Sequence, residues 1–195
     1  MPRPQRVDFP GAWHYVTSTA VMGQVLFHDD VDRRHFIDRV AVLSGDFGLE
    51  CHAYCLMGGS YHLILRATSP TLSVAIKRTN GLYARAFNRR HARSGALFAS
   101  RFRSFLIPNP ETLGIARRWL HDCPTRAGLC RLPEHWPWSS ASAYAEGRAP
   151  DWLVINRFHR SEPQCDVMAA IPPWSPNYVP ATPRPDEHGE FHVSA

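Results

Sequence analysis

The sequence predicts an α+β domain: an antiparallel sheet of about four to five strands, with helices mainly on one face and a proline-rich C-terminal tail. Three observations lead there. Short alternating segments rich in β-formers recur between stretches of helical period. Two of those segments are separated only by Gly58-Gly59, so they pair as a hairpin. From Pro163 onward the periodicity stops, and seven of the 17 prolines lie in that stretch.

The elements follow in order. After a Pro10-Gly11 turn, residues 13–20 alternate and carry Tyr15, Val16, Thr17 and Thr19, which reads as a strand. Residues 29–47 place Phe36, Val40, Leu43 and Phe47 at helical spacing with acids in the first turn, and Gly48 closes the helix. Residues 49–56 and 60–67 are the hairpin strands. In the second, alternation puts Ser60, His62 and Ile64 on one face and Tyr61, Leu63 and Leu65 on the other. Ser69-Pro70-Thr71 starts a helix through about Asn88, with Leu72, Ile76, Leu82, Ala86 and Phe87 as its buried side. Residues 101–107 resume strand character, Pro108 and Pro110 break it, and residues 111–122 form a last core helix ended by Pro124. The aromatic segment 136–144 packs on that core. The expected division is a domain over residues 1–147 and an extension over 148–195, extended or laid against the domain through Trp174 and Tyr178.

Bulk composition narrows the function classes. A hydrophobic share of 44% suits a globular chain of 195 residues. No run of 18 apolar residues exists to cross a membrane, and residues 1–10 have no apolar core of signal-peptide length. The five cysteines are odd in number and scattered, which points to reduced thiols and a cytoplasmic protein rather than a disulfide framework. Cys51 and Cys55 have a metal-like spacing without a second pair to complete a zinc site.

Charge is informative by placement. The net charge is +5, and every basic residue except Lys77 is arginine. Between Glu50 and Glu111 no acidic residue occurs, while Arg78, Arg85, Arg89, Arg90, Arg101 and Arg103 all fall in that window. Arg78, Arg85 and Arg89, at i, i+7 and i+11, share one helix stripe. A field of one sign over this length favours a polyanion, whose condensed counterions are released on neutralisation. A solvated helix face balanced by acids elsewhere is the plainer alternative.

Six segments carry a resemblance: RPQRVDFPGAWHYVTS from Arg3, HAYCLMGGSYHLI from His52, TNGLYARAFNRR from Thr79, GALFASRFR from Gly95, RWLHDCPTRAGL from Arg118 and WPWSSASAY from Trp136. Together, and in this order, they resemble the single-tyrosine HUH transposases, in particular the REP-associated tyrosine transposases of bacteria. The resemblance implies an HUH-transposase-like fold and single-strand DNA transesterification. There, a strand offers two histidines to a divalent cation, a helix offers a tyrosine nucleophile, and a polar residue one turn later helps hold the metal. The cation polarises the phosphate and the phenolate attacks it, keeping the phosphate as an ester.

Carried onto this chain, the first histidine falls on Ser60, the second on His62, the nucleophile on Trp119 and the polar residue on Cys123. Indole forms no phosphoester, and a lone imidazole is a poor hold on magnesium. The resemblance therefore implies a degenerate site, vestigial at Ser60, His62 and Cys123, with no cofactor; magnesium or manganese enters only if the family activity survives. Each position has a plainer reading as well: a hydrogen-bonded core histidine for His62, a packing ring for Trp119, a small buried hydrophobe for Cys123. Tyr83 is the substitute nucleophile to consider, although core packing is the simpler account of it. His14, His52 and His121 could rebuild a softer site with His62 and Cys123.

The leading expectation is a transposase-like protein that binds single-stranded or hairpin DNA without cleaving it, with phosphate contacts from the six arginines and stacking by Phe87, Phe98, Phe102 and Phe105. Two others stand beside it. One is an active transposase or nuclease with a rearranged site using Tyr83 or Tyr61. The other is a protein-interaction module working through the proline-rich tail.

Overall fold

The computed structural model describes residues 8–155. Four strands form one antiparallel sheet: β1 (Trp13–Thr19), β2 (Leu49–Met57), β3 (Ser60–Ala67) and β4 (Arg103–Ile107), in the order β2-β3-β1-β4. Gly58 and Gly59 connect β2 to β3, and β1 lies between β3 and β4, with both neighbours antiparallel to it.

One sheet face is covered by α1 (Asp30–Ala41), α2 (Leu43–Phe47) and α3 (Leu72–Arg90). Asp29 caps α1 by accepting from the Val31 and Asp32 amides, two donors that have no partner inside the helix. The segment expected as one helix over 29–47 is broken at Val42, where the poor helix formers Ser44 and Gly45 follow. Gly48 then ends α2 at φ +61°, and a Cβ there would collide with Thr68 Oγ1. On this face Val16, Tyr61, Leu63 and Leu65 pack against Phe36, Val40, Ile76, Tyr83 and Phe87. The buried side of α3 is Leu72, Ala75, Ile76, Thr79, Tyr83 and Phe87; Leu82 and Ala86 are only partly covered.

The opposite face carries α4 (Pro110–His121) and the short α5 (Cys123–Arg126). Asn109 caps α4 through the Thr112 amide, with Pro110 in the first turn, where its missing N–H costs nothing. Leu113, Ala116 and Leu120, at i, i+3 and i+7, meet Tyr15, Ala53, Cys55 and Ile64. Burying each such leucine contributes about 1.5–3 kcal/mol. A register shift between Cys51 and Ala53 sends Cys51 to the α3 face and Cys55 to the α4 face, so these two thiols point apart and cannot grip one zinc ion.

The outer edge of β2 is covered. Leu56 donates to the Trp138 carbonyl, Trp136 Nε1 donates to the Leu56 carbonyl, and Leu153 bridges Cys51 in parallel. A 3₁₀ turn (Pro133–His135) and α6 (Ala141–Glu146) flank this covering segment. Packing continues to the end of the described chain, where Leu153 is buried and Ile155 lies against the core. The proline-rich stretch, with Trp174 and Tyr178, lies outside the described residues.

Candidate functional site

Strand register builds the floor of the site. Cys55 pairs with His62, His62 with Thr17 and Thr17 with Arg103, so one row crosses all four strands. Directly paired residues share a sheet face, which places these side chains together on the α4 side. The next row holds Met57, Ser60 and Thr19. Over these rows lies a cavity of about 170 Å³ lined by Thr17, Thr19, Ser60, His62, Arg101 and Arg103.

His62 is clasped on both ring nitrogens. The Tyr15 hydroxyl lies 2.9 Å from Nδ1 and the Ser60 hydroxyl 3.2 Å from Nε2. Burial, aided by the Arg126 charge, lowers the His62 pKa to about 4, so the ring is neutral at physiological pH. Trp119 sits near the end of α4 and packs on the same core. Arg126 covers it: the guanidinium carbon is 3.7 Å from the indole centroid, and Nη2 donates to the Trp119 carbonyl at 2.8 Å. The same Nη2 lies 3.3 Å from Cys123 Sγ. Burial pushes the Cys123 thiol up to about 11, so it stays protonated near neutral pH.

This donor set does not fit a hard divalent cation. Its only imidazole has both nitrogens occupied by hydroxyls, a serine stands where a second imidazole would be needed, and a guanidinium already contributes positive charge. The histidines that could have rebuilt a softer site point elsewhere. His14 Nε2 is 3.6 Å from Asp8, His52 is 3.4 Å from Glu50, and His121 is 2.8 Å from the Ser140 hydroxyl. Among the described residues no three His, Cys, Asp or Glu side chains converge to hold a metal.

The basic window splits three ways. Arg101 and Arg103 line the cavity, and Arg103 lies over the Phe105 ring. Arg78, Arg85 and Arg89 are exposed on α3, across the sheet from His62, with Arg78 over Phe47. Arg90 is turned onto the N-terminus of α1, where it bonds both Asp29 and the buried Asp32 at 2.5 Å. His91 completes that cluster at 2.9 Å from Asp32. Arg90 is thus committed to carboxylates of its own fold. Of the four phenylalanines expected to stack bases, Phe87 and Phe102 are buried, and Phe98 and Phe105 are partly covered.

Neither substitute tyrosine reaches His62. Tyr83 is buried against the other face and donates to the Leu26 carbonyl at 2.5 Å; Tyr61 donates to Asn80 at 3.0 Å. Burial raises both phenol pKa values. Two residues that act at the site, Tyr15 and Arg126, were not among the candidate site residues the sequence offers. Arg126 had a signal, since Trp119, Cys123 and Arg126 are spaced i, i+4 and i+7. Tyr15 could be found only through strand register.

The sheet order and the helices on both faces define an α+β domain built on one open, four-stranded antiparallel sheet. A solved REP-associated tyrosine transposase bound to a REP hairpin is similar to this chain with a TM-score of 0.65, covering 83% of this chain and 96% of that one at 15% sequence identity. No family model matches the sequence, and no curated protein matches it.

Proposed function

We propose that this chain is a transposase-like DNA-binding protein that recognises single-stranded or hairpin DNA and has lost metal-dependent cleavage and strand transfer. The observation that carries the binding half is the fold likeness to a hairpin-bound transposase over most of both chains. The cations agree with it: Arg78, Arg85 and Arg89 are exposed, and Arg101 and Arg103 stand at the cavity. The loss of chemistry rests on His62 being held by Tyr15 and Ser60, and on Trp119 standing under Arg126 where the resemblance puts a nucleophile. No cofactor is required for binding of this kind. A cytoplasmic location accords with thiols that are all unpaired among the described residues. No described helix is long and apolar enough to cross a membrane.

The test mixes purified protein with a library of labelled hairpins bearing single-stranded flanks, with magnesium or manganese, on native and denaturing gels. A native shift with neither cleavage nor covalent adduct is expected. A denaturation-resistant adduct would overturn the loss of chemistry, and the absence of any shift would overturn the DNA reading.

A further inference from the structure

The cavity over His62 does not suit a hard metal ion, yet every residue that lines it carries a polar or charged side chain. Its rim carries two exposed arginines with no carboxylate partner among the described residues, and its floor is lined with hydroxyls. Those hydroxyls are not equivalent. Thr17 gives its proton to the Tyr61 carbonyl at 2.9 Å, and Ser100 gives its proton to the Arg101 carbonyl at 3.0 Å. Neither has a donor left for a ligand.

Ser60 differs because of what stands behind it. A neutral imidazole has one N–H and one bare nitrogen, so of the two hydroxyls touching His62 one donates to the ring and the other accepts from it. A phenol is the stronger donor and the weaker acceptor. The favoured order therefore runs from the Tyr15 O–H to Nδ1, and from Nε2–H to Ser60 Oγ. The Ser60 proton is then free to point into the cavity. Two guanidiniums and one oriented O–H form a donor set for an oxyanion, and guanidinium suits phosphate through parallel N–H bonds.

We infer that the cavity over His62 is a metal-independent seat for one DNA backbone phosphate, in which Arg101 and Arg103 supply the charge and Ser60, oriented by His62 and Tyr15, supplies a neutral donor. This rests on the DNA-binding reading above. In this arrangement the chain's own side chains do the work of holding the anion, and no bond to phosphorus forms or breaks. Tyr15 and His62 are positioning residues for Ser60.

The experiment measures fluorescence anisotropy with a labelled DNA hairpin bearing oligothymidylate flanks, in EDTA and in magnesium. It compares the full chain with Ser60→Ala and with the double variant Arg101→Ala, Arg103→Ala, which removes only exposed side chains. Hairpins carrying one neutral methylphosphonate at successive flank positions locate the seated phosphate. Affinity in EDTA should be no lower than in magnesium, because magnesium only competes for the phosphates. Ser60→Ala should weaken binding about threefold and the arginine pair about tenfold or more. One methylphosphonate position should weaken binding by the parent chain and add nothing in the arginine variant. Binding that collapses in EDTA overturns the seat, as does a methylphosphonate penalty that persists unchanged in the arginine variant. Hairpin binding indifferent to all the variants also overturns it while leaving the DNA reading standing. Failure of the parent chain to bind any hairpin overturns both.

Discussion

Arg126 lies over the indole of Trp119, its guanidinium carbon 3.7 Å from the ring centroid, while its Nη2 donates to the carbonyl of the same residue. One arginine thus fixes both the ring and the end of the helix that carries it. It also contributes positive charge to the surroundings of His62, helping to keep that imidazole neutral. A cation that belongs to the chain stands beside a site where the resemblance would call for a bound one.

Trp119→Tyr puts a phenol at that position, but it leaves Ser60 and the clasp on His62 unchanged. No covalent adduct should form on denaturing gels with magnesium or manganese. The variant should lose up to about 1 kcal/mol of stability through the weaker cation–π contact with Arg126. An adduct would mean that the missing phenol alone had silenced the site.

The arginines of α3 should separate by role. Arg85→Ala with Arg89→Ala removes two exposed charges, so hairpin affinity should fall and the slope of log affinity against log salt should shallow by about one or two units. Arg90→Ala should instead lower the melting temperature, because it leaves the buried Asp32 with one partner fewer. A salt slope that moves with Arg90 and not with Arg85 and Arg89 would reverse this assignment.

Tyr83→Phe removes the hydroxyl that serves the Leu26 carbonyl. Denaturant melts should show a loss of about 1–2 kcal/mol, with hairpin affinity unchanged. A variant that keeps its stability and loses a DNA adduct seen in the parent chain would make Tyr83 a nucleophile after all.

His121 carries a pH signature. Burial, with the nearby Arg117 charge, lowers its pKa from 6.5 to about 3. The unfolded chain takes up a proton as pH falls below 6.5 while the native ring does not. Its stabilising contribution is therefore complete above that value and is lost on acidification. Between about pH 7 and pH 4 this amounts to about 3 kcal/mol. Melting curves of His121→Gln should fall less steeply over that interval than those of the parent chain, and identical pH profiles would show that the native ring takes up its proton at the same pH as the unfolded one.

The sequence by itself determined the local elements and the residue types that stand at positions 60, 62, 119 and 123. Alternation placed Ser60 and His62 on one strand face, because side chains of a strand follow a period of two whatever the strand packs against. The hairpin at Gly58-Gly59, the long α3 and the helix carrying Trp119 were legible for the same reason: their signals lie within a few residues of each other. The break at Val42 and the register shift at Cys51 were not, since each depends on how the element fits its neighbours.

Only the tertiary structure decided which side chains meet. Placing β1 between β3 and β4 set Thr17 and Arg103 in the row of His62 and brought the Tyr15 hydroxyl to its ring, joining residues far apart in the chain. It also divided a single basic window. Arg101 and Arg103 came to the cavity, Arg78, Arg85 and Arg89 stayed across the sheet, and Arg90 folded onto Asp29 and Asp32. Charge along a sequence fixes how strongly a segment can attract an anion, but the direction of each guanidinium is set by the packing of the element that bears it.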